Sequence, residues 1–258
     1  MLNIVIPMAG HGSRFVQAGY QHPKPLIPVH GIPMIQVVIN NLTPRRRHRF
    51  IFICQQQHVD TFQLDEVLRE AAPGSTVITL DGVTAGAACT VLLACDEIND
   101  SRPLMIANCD QWINYNIDRY LNEWDATRCD GWIMTMKADA PKWSYVQRNT
   151  AGRVERVVEK EVVSPEATVG IYNFRRGTDF VLGATQMIED NERSKGEFYV
   201  APVYSRLIRM GYHVETCLVG TDVDGMHGLG TPEDLEEFLQ AGYEDEVRRQ
   251  AERPRRAA

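Results

Sequence analysis

Ile4-Val5-Ile6-Pro7-Met8-Ala9-Gly10-His11-Gly12-Ser13-Arg14-Phe15, followed by Pro23-Lys24-Pro25-Leu26-Ile27-Pro28-Val29, decides how the rest of the chain reads. The apolar run from Leu2 to Ile6 predicts a buried strand. It breaks at once into a loop of small residues, Ala9, Gly10, Gly12 and Ser13. At the carboxyl end of a central strand, such a loop turns backbone N–H groups toward phosphate. Arg14 adds a planar donor fork that stays charged. Lys24, between two prolines, adds a second cation on a stiff segment. Amides, Arg and Lys in one short span describe a clamp for a polyphosphate.

Two common phosphate motifs do not fit this span. The P-loop ends in Gly-Lys-Ser/Thr, which is missing, and the dinucleotide fingerprint needs a glycine where Phe15 stands. Gly10-His11-Gly12-Ser13-Arg14 and Lys24-Pro25-Leu26-Ile27-Pro28-Val29 instead resemble the two-part signature of the sugar-phosphate nucleotidyltransferases. That signature reads Gly-x-Gly-(Ser/Thr)-Arg, then Lys-Pro-(Leu/Met)-x-Pro-Val, and the order and spacing agree. The resemblance implies an α/β, Rossmann-like fold of the GT-A type. It also implies a nucleoside triphosphate (CTP, UTP, dTTP or GTP), a phosphorylated small-molecule acceptor and Mg²⁺ as cofactor.

The totals agree with a soluble globular protein. The chain has 258 residues, 44% apolar and 24% charged, enough for a full core. A net charge of −7 argues against nucleic acid as a partner. No apolar stretch reaches membrane-spanning length and no export signal opens the chain, so cytoplasm is expected. The six cysteines, Cys54, Cys89, Cys95, Cys109, Cys129 and Cys217, include no pair at zinc or redox spacing. Cys109 precedes Asp110 and reads either as a reactive thiol or, more simply, as a packed one.

Taken in order, the first half alternates strand and helix. Pro33 to Leu42 has helical periodicity, and the Arg45–Arg49 basic run reads as a solvated connection. Phe50 to Cys54 is a buried strand, Asp60 to Ala71 a helix and Ser75 to Leu80 a strand. Asp81 to Ala88 then opens a helix to about Ile98, with Thr84 as its cap or, with Gly86, as a surface for a nucleotide. Pro103 to Ala107 is a strand ending at Asp110. A carboxylate there either holds Mg²⁺ against phosphate oxygens or caps a turn. Asp118 to Ala126 is a helix. The alternation predicts a mainly parallel sheet flanked by helices.

The rhythm changes after residue 126. Gly131–Lys137, Ser144–Gln147, Val154–Val162 and Ala167–Phe174 are strand-like with little room for helices, so the second half predicts an added β-rich lid. Thr178–Ile188 and Glu197–Met210 read as helices and His213–Leu218 as a strand. Thr231-Pro232-Glu233-Asp234 opens a last helix to about Arg249. One domain over 1–245 is expected, with a nucleotide half at 1–126 and an acceptor half at 127–245. Residues 246–258 form a basic tail expected to fray.

The second half also carries family-like residues. Val158-Glu159-Lys160 reads by itself as an exposed strand end with paired charges. It resembles the family's Val-Glu-Lys-Pro, which implies that Lys160 binds the acceptor's phosphate. Val169-Gly170-Ile171-Tyr172 and Gly196-Glu197 resemble its Thr-Gly-Ile-Tyr and Gly-Glu segments, implying that Gly170 and Glu197 face the acceptor with Glu159. Gly230-Thr231-Pro232-Glu233-Asp234 resembles its closing segment. Three departures stand out. The family's second metal-binding Asp falls on Gly228, leaving Asp222 or Asp224 as substitutes or as ordinary turn acids. Trp143-Ser144 stands where the family has Tyr-Gly, and Phe198-Tyr199-Val200-Ala201-Pro202 is more apolar than usual.

These residues predict transfer of a nucleotidyl group to a sugar phosphate or similar phosphorylated acceptor with release of pyrophosphate; the family resemblance alone implies surface polysaccharide synthesis. Arg14, Lys24 and Asp110 are the expected catalytic set, with Asp110 and Asp224 on the metal. Ala9, Gly10, Gly12, Ser13, Thr84 and Gly86 bind nucleotide, and Ser144, Glu159, Lys160, Gly170 and Glu197 bind acceptor. Three rivals remain: a GT-A glycosyltransferase, whose Asp-x-Asp is missing at Asp110-Gln111-Trp112; a cytidylyltransferase acting on a non-sugar phosphate or phosphonate; and a nucleotide sensor without turnover. Oligomeric state, a homo-oligomer included, is left open.

Overall fold

The Leu2–Pro7 strand lies inside a nine-stranded mixed sheet in a computed structural model that describes residues 1–252. Its neighbours are His48–Gln55 and Leu104–Ala107, both parallel to it, and Thr76–Leu80 adds a parallel outer strand beyond His48–Gln55. Parallel strands covered on both faces need continuous apolar sequence rather than alternation. The chain meets this need: Ile4, Val5 and Ile6 are all fully buried. Ile4 and Ile6 face one core, with Ile35, Val38, Phe52 and Trp124. Val5 faces a second, with Ala88, Val91, Phe174 and Phe180.

The second half extends the sheet from the other side of Leu104–Ala107. Glu166–Phe174 pairs antiparallel with it, and Gly131–Lys137, Ser144–Arg148 and Val154–Glu159 follow through antiparallel ladders. Val214–Thr221 returns parallel beside Gly131–Lys137. The expected mainly parallel sheet with added strands is what forms.

Several boundaries differ from the sequence reading. The helix expected over 60–71 is two, Gln56–Phe62 and Leu64–Ala71, because Gln63 turns left-handed at φ 53°. The helix expected from Thr84 starts later, at Ala87–Leu92, and resumes as Cys95–Ile98. The strand expected to reach Val162 stops at Glu159, where Lys160 adopts φ 55°. Only Val203–Arg209 of the helix expected over 197–210 is helical. The Phe198 main chain is instead committed to Ala85 and Ala88.

The C-terminal reading also changes. The helix expected to run to Arg249 breaks between Pro232–Gln240 and Glu244–Ala251. Residues 246–251, expected to fray, belong to the second of these helices, and Val247 and Gln250 are buried. Glu252 caps that helix, and 253–258 of the expected tail lie outside the described residues. Both helices add to a third core, where Leu235, Phe238 and Val247 meet Phe15, Val29 and Trp112.

Candidate active site

One cleft of about 700 Å³ opens at the carboxyl ends of the parallel strands. That volume is ordinary for a small-molecule site. The first loop lines part of the cleft through Ala9, Gly10, Ser13 and Arg14. Gly12 takes φ 59°, and a Cβ there would lie 3.2 Å from the Lys24 Cβ, so glycine lets the two parts of the clamp close on each other. Gln55 Nε2 donates to the Ala9 carbonyl at 2.8 Å and holds the loop to the neighbouring strand. The short Ser13–Gln17 helix then splits its residues. Phe15 is buried in the third core while Arg14 lines the cleft.

Lys24 starts a 3₁₀ turn, Lys24–Leu26, and its Nζ lies 2.7 Å from Asp110 Oδ2. Burial works against the lysine charge, but the Asp110 carboxylate more than offsets it, so the Lys24 pKa rises above the ordinary lysine value. Asp110 follows the Leu104–Ala107 strand, and its carbonyl accepts from Leu229 N at 2.8 Å. The sequence reading of Cys109 resolves to the packed thiol: it is buried, and burial pushes its pKa up to about 11.

Thr84 does not cap the helix. Its hydroxyl donates to the Gly86 carbonyl at 2.8 Å and meets Thr90 Oγ1 at 2.7 Å. Gly86 is glycine for a reason the sequence hid: a Cβ there would fall 2.4 Å from the Phe198 carbonyl oxygen. Both residues still line the cleft.

The residues expected at the acceptor all reach the same cleft: Ser144, Glu159, Lys160, Gly170 and Glu197. The Ser144 hydroxyl donates to Glu159, and burial raises the Glu159 pKa despite that bond and the nearby Lys160. At Gly170 a Cβ would meet Asn108 Nδ2 at 2.2 Å and Gln111 Oε1 at 2.4 Å, so glycine lets two amide side chains cover the strand.

Asp224 is a correction. Its Oδ1 accepts from Thr221 N at 2.7 Å and Thr221 Oγ1 at 2.8 Å, and it does not line the cleft. Its Oδ1 is committed to this turn, and the structure does not bring Asp224 into the cleft beside Asp110. Asp234 was missed, because its place after Thr231-Pro232 reads as a helix start. The structure sets it in the cleft, with Oδ1 3.0 Å from Lys142 Nζ. Its carboxyl carbon lies 3.4 Å from where a Cβ on Gly228 would be. Asn108, Gln111, Lys142 and Tyr199 also line the cleft without a sequence signal of their own.

Among the described residues no group of three or more His, Cys, Asp or Glu side chains is arranged to hold a metal. A set of one or two carboxylates fits Mg²⁺ only where phosphate oxygens complete the shell. The cleft offers that combination: Asp110 beside a cationic loop. Among the described residues no helix is long and apolar enough to cross a membrane.

A family model for the nucleotidyl transferases matches residues 4–225. No curated protein matches in sequence. Among solved structures, the chain is similar to a nucleoside-diphosphate-sugar pyrophosphorylase from Vibrio cholerae. The two are 25% identical over 92% of this chain and 99% of that one, with a TM-score of 0.75. It also shares its fold with a UDP-glucose pyrophosphorylase from Acinetobacter baumannii, at 17% identity over 95% of this chain and 94% of that one, with a TM-score of 0.70.

Proposed function

Since the chain belongs to the nucleotidyl transferase family, we propose that it transfers a nucleotidyl group from a nucleoside triphosphate to a sugar phosphate, releasing pyrophosphate. The observation that carries this reading is the convergence of Gly10, Ser13, Arg14 and the Lys24–Asp110 pair on the cleft that also holds Lys160 and Glu197, with Gly12 behind the lining. Cations for a triphosphate lie at one end and a lysine with carboxylates at the other.

In this reading an acceptor phosphate oxygen attacks the α-phosphorus. The bond to the bridging oxygen breaks, and pyrophosphate leaves with that electron pair. The nucleophile is already anionic, so no general base is needed. The work is to bring anions together and to stabilise charge on the leaving group. Arg14 and the loop amides hold the β- and γ-phosphates. Lys24 leaves Asp110 for the α-phosphate, and Lys160 receives the acceptor's phosphate. Mg²⁺, held by Asp110 and phosphate oxygens, supplies neutralising charge to the triphosphate when bound. The product in this reading is an activated nucleotide sugar, whose use we place in surface polysaccharide synthesis.

The test is a matrix of CTP, UTP, dTTP and GTP against phosphorylated acceptors, sugar and non-sugar, read by pyrophosphate release with and without Mg²⁺. Release that needs both triphosphate and acceptor is expected. Tight triphosphate binding with no release across the matrix would overturn the catalytic reading.

A further inference from the structure

Tyr199 sits in the segment whose pattern suggests a helix, yet the chain there is irregular and Tyr199 lines the cleft beside Lys160. Lys160 Nζ donates to Tyr199 Oη at 2.6 Å, and the ammonium lies 4.5 Å from the ring centroid. An ammonium has three protons to donate, and a phenol can accept and donate at once. The phenol oxygen takes one proton from Lys160, so its own proton stays free. No salt bridge holds Lys160 among the described residues. Two ammonium protons and one phenol proton are thus gathered at one point of the wall.

Both partners are fixed by backbone. Lys160 adopts φ 55°, a conformation that non-glycine residues rarely hold, and its N–H donates to the Trp143 carbonyl at 3.0 Å. Tyr199 is held from the nucleotide side. Phe198 N donates to the Ala85 carbonyl at 3.0 Å, and the Phe198 carbonyl accepts from Ala88 N at 2.9 Å. Gly86 makes room for that pairing. Burial opposes the Lys160 charge, but the bond to Tyr199 and the carboxylates of Glu159 and Glu197 outweigh it, so its pKa lies above the ordinary lysine value.

We infer that the Tyr199 hydroxyl and the Lys160 ammonium form one seat for the acceptor's phosphate or phosphonate, with Tyr199 as the second donor. The identity of the anion rests on the proposed function. The ring keeps the lysine in place before the acceptor arrives, and the phenol proton then reaches an anion oxygen that Lys160 leaves open.

The test uses the full chain and inorganic phosphate as probe, followed by calorimetry. Arg14→Ala weakens the triphosphate end, so that phosphate reports on the acceptor end. This variant should bind phosphate, and adding Tyr199→Phe, which keeps the ring, should weaken that binding ~10-fold or more, as loss of a hydrogen bond to a charged group does. With the acceptor found by the matrix, Tyr199→Phe alone should raise the acceptor KM by a similar factor, with kcat and the triphosphate KM little changed. No phosphate binding in Arg14→Ala, or equal binding with and without the Tyr199 hydroxyl, would overturn the inference. The triphosphate reading fails separately, if Arg14→Ala binds nucleotide as tightly as the unaltered protein.

Discussion

Lys24 and Asp110 neutralise each other across 2.7 Å. A triphosphate entering the cleft has to draw that lysine away, and the carboxylate it leaves is then free for a cation. Lys24→Ala should therefore lower kcat by about 10²–10³, the loss seen when one preorganised donor is removed, in pyrophosphate-release assays at saturating substrates. Near-normal turnover would take Lys24 out of the reaction. Glu159 has the opposite character, since burial holds its pKa above the ordinary value. The native state keeps that proton more tightly than the unfolded chain does. Its contribution to stability is full below the unfolded pKa near 4.3 and is lost as pH rises through the native value. Glu159→Gln should flatten the fall in Tm between acid and neutral pH, as followed by circular dichroism.

Elements were legible where a single physical signal governed them. Continuous apolar runs marked the buried strands from Leu2 to Ala107, and the Gly10–Arg14 loop marked the sheet edge that carries the site. Gln63 and Lys160 interrupt elements by turning left-handed, and two further misses come from long-range contacts that no local pattern announces. The segment around Tyr199 has helical periodicity, but Ala85 and Ala88 claim the Phe198 peptide. Asp234 looks like a helix-start acid, and only the approach of Gly228 turns it into part of the cleft wall. The start of the Gly177–Glu189 helix is equally constrained, because a Cβ on Gly177 would fall 1.8 Å from the Ile98 carbonyl oxygen. Gly177→Ala should cost about 1–3 kcal/mol, the range for overpacking, in urea denaturation, with substrate KM values unchanged because the clash is away from the cleft.

At the scale of the whole molecule, the sheet carries a core on each face, and the C-terminal helices seal a third core beneath the first loop. Gln250 fastens that seal. Its Oε1 accepts from Trp112 Nε1 at 3.2 Å and from Asn41 Nδ2 at 3.4 Å, and the Asn41 oxygen in turn accepts from Ile113 N at 2.9 Å. Gln250→Ala leaves the indole N–H unpaired and should cost about 1–3 kcal/mol of stability, measurable as a lower Tm. No sequence signal separated this helix from a fraying tail, because its surface is charged and only Val247 and Gln250 turn inward. Phe15, one residue from Arg14, packs in the same cluster as Val247. During synthesis the glycine loop therefore leaves the ribosome long before its floor exists. If the loop binds as proposed, a nascent chain arrested short of residue 230 would display Arg14 and the loop amides without Leu235, Phe238 and Val247 beneath them, and should fail to hold a triphosphate.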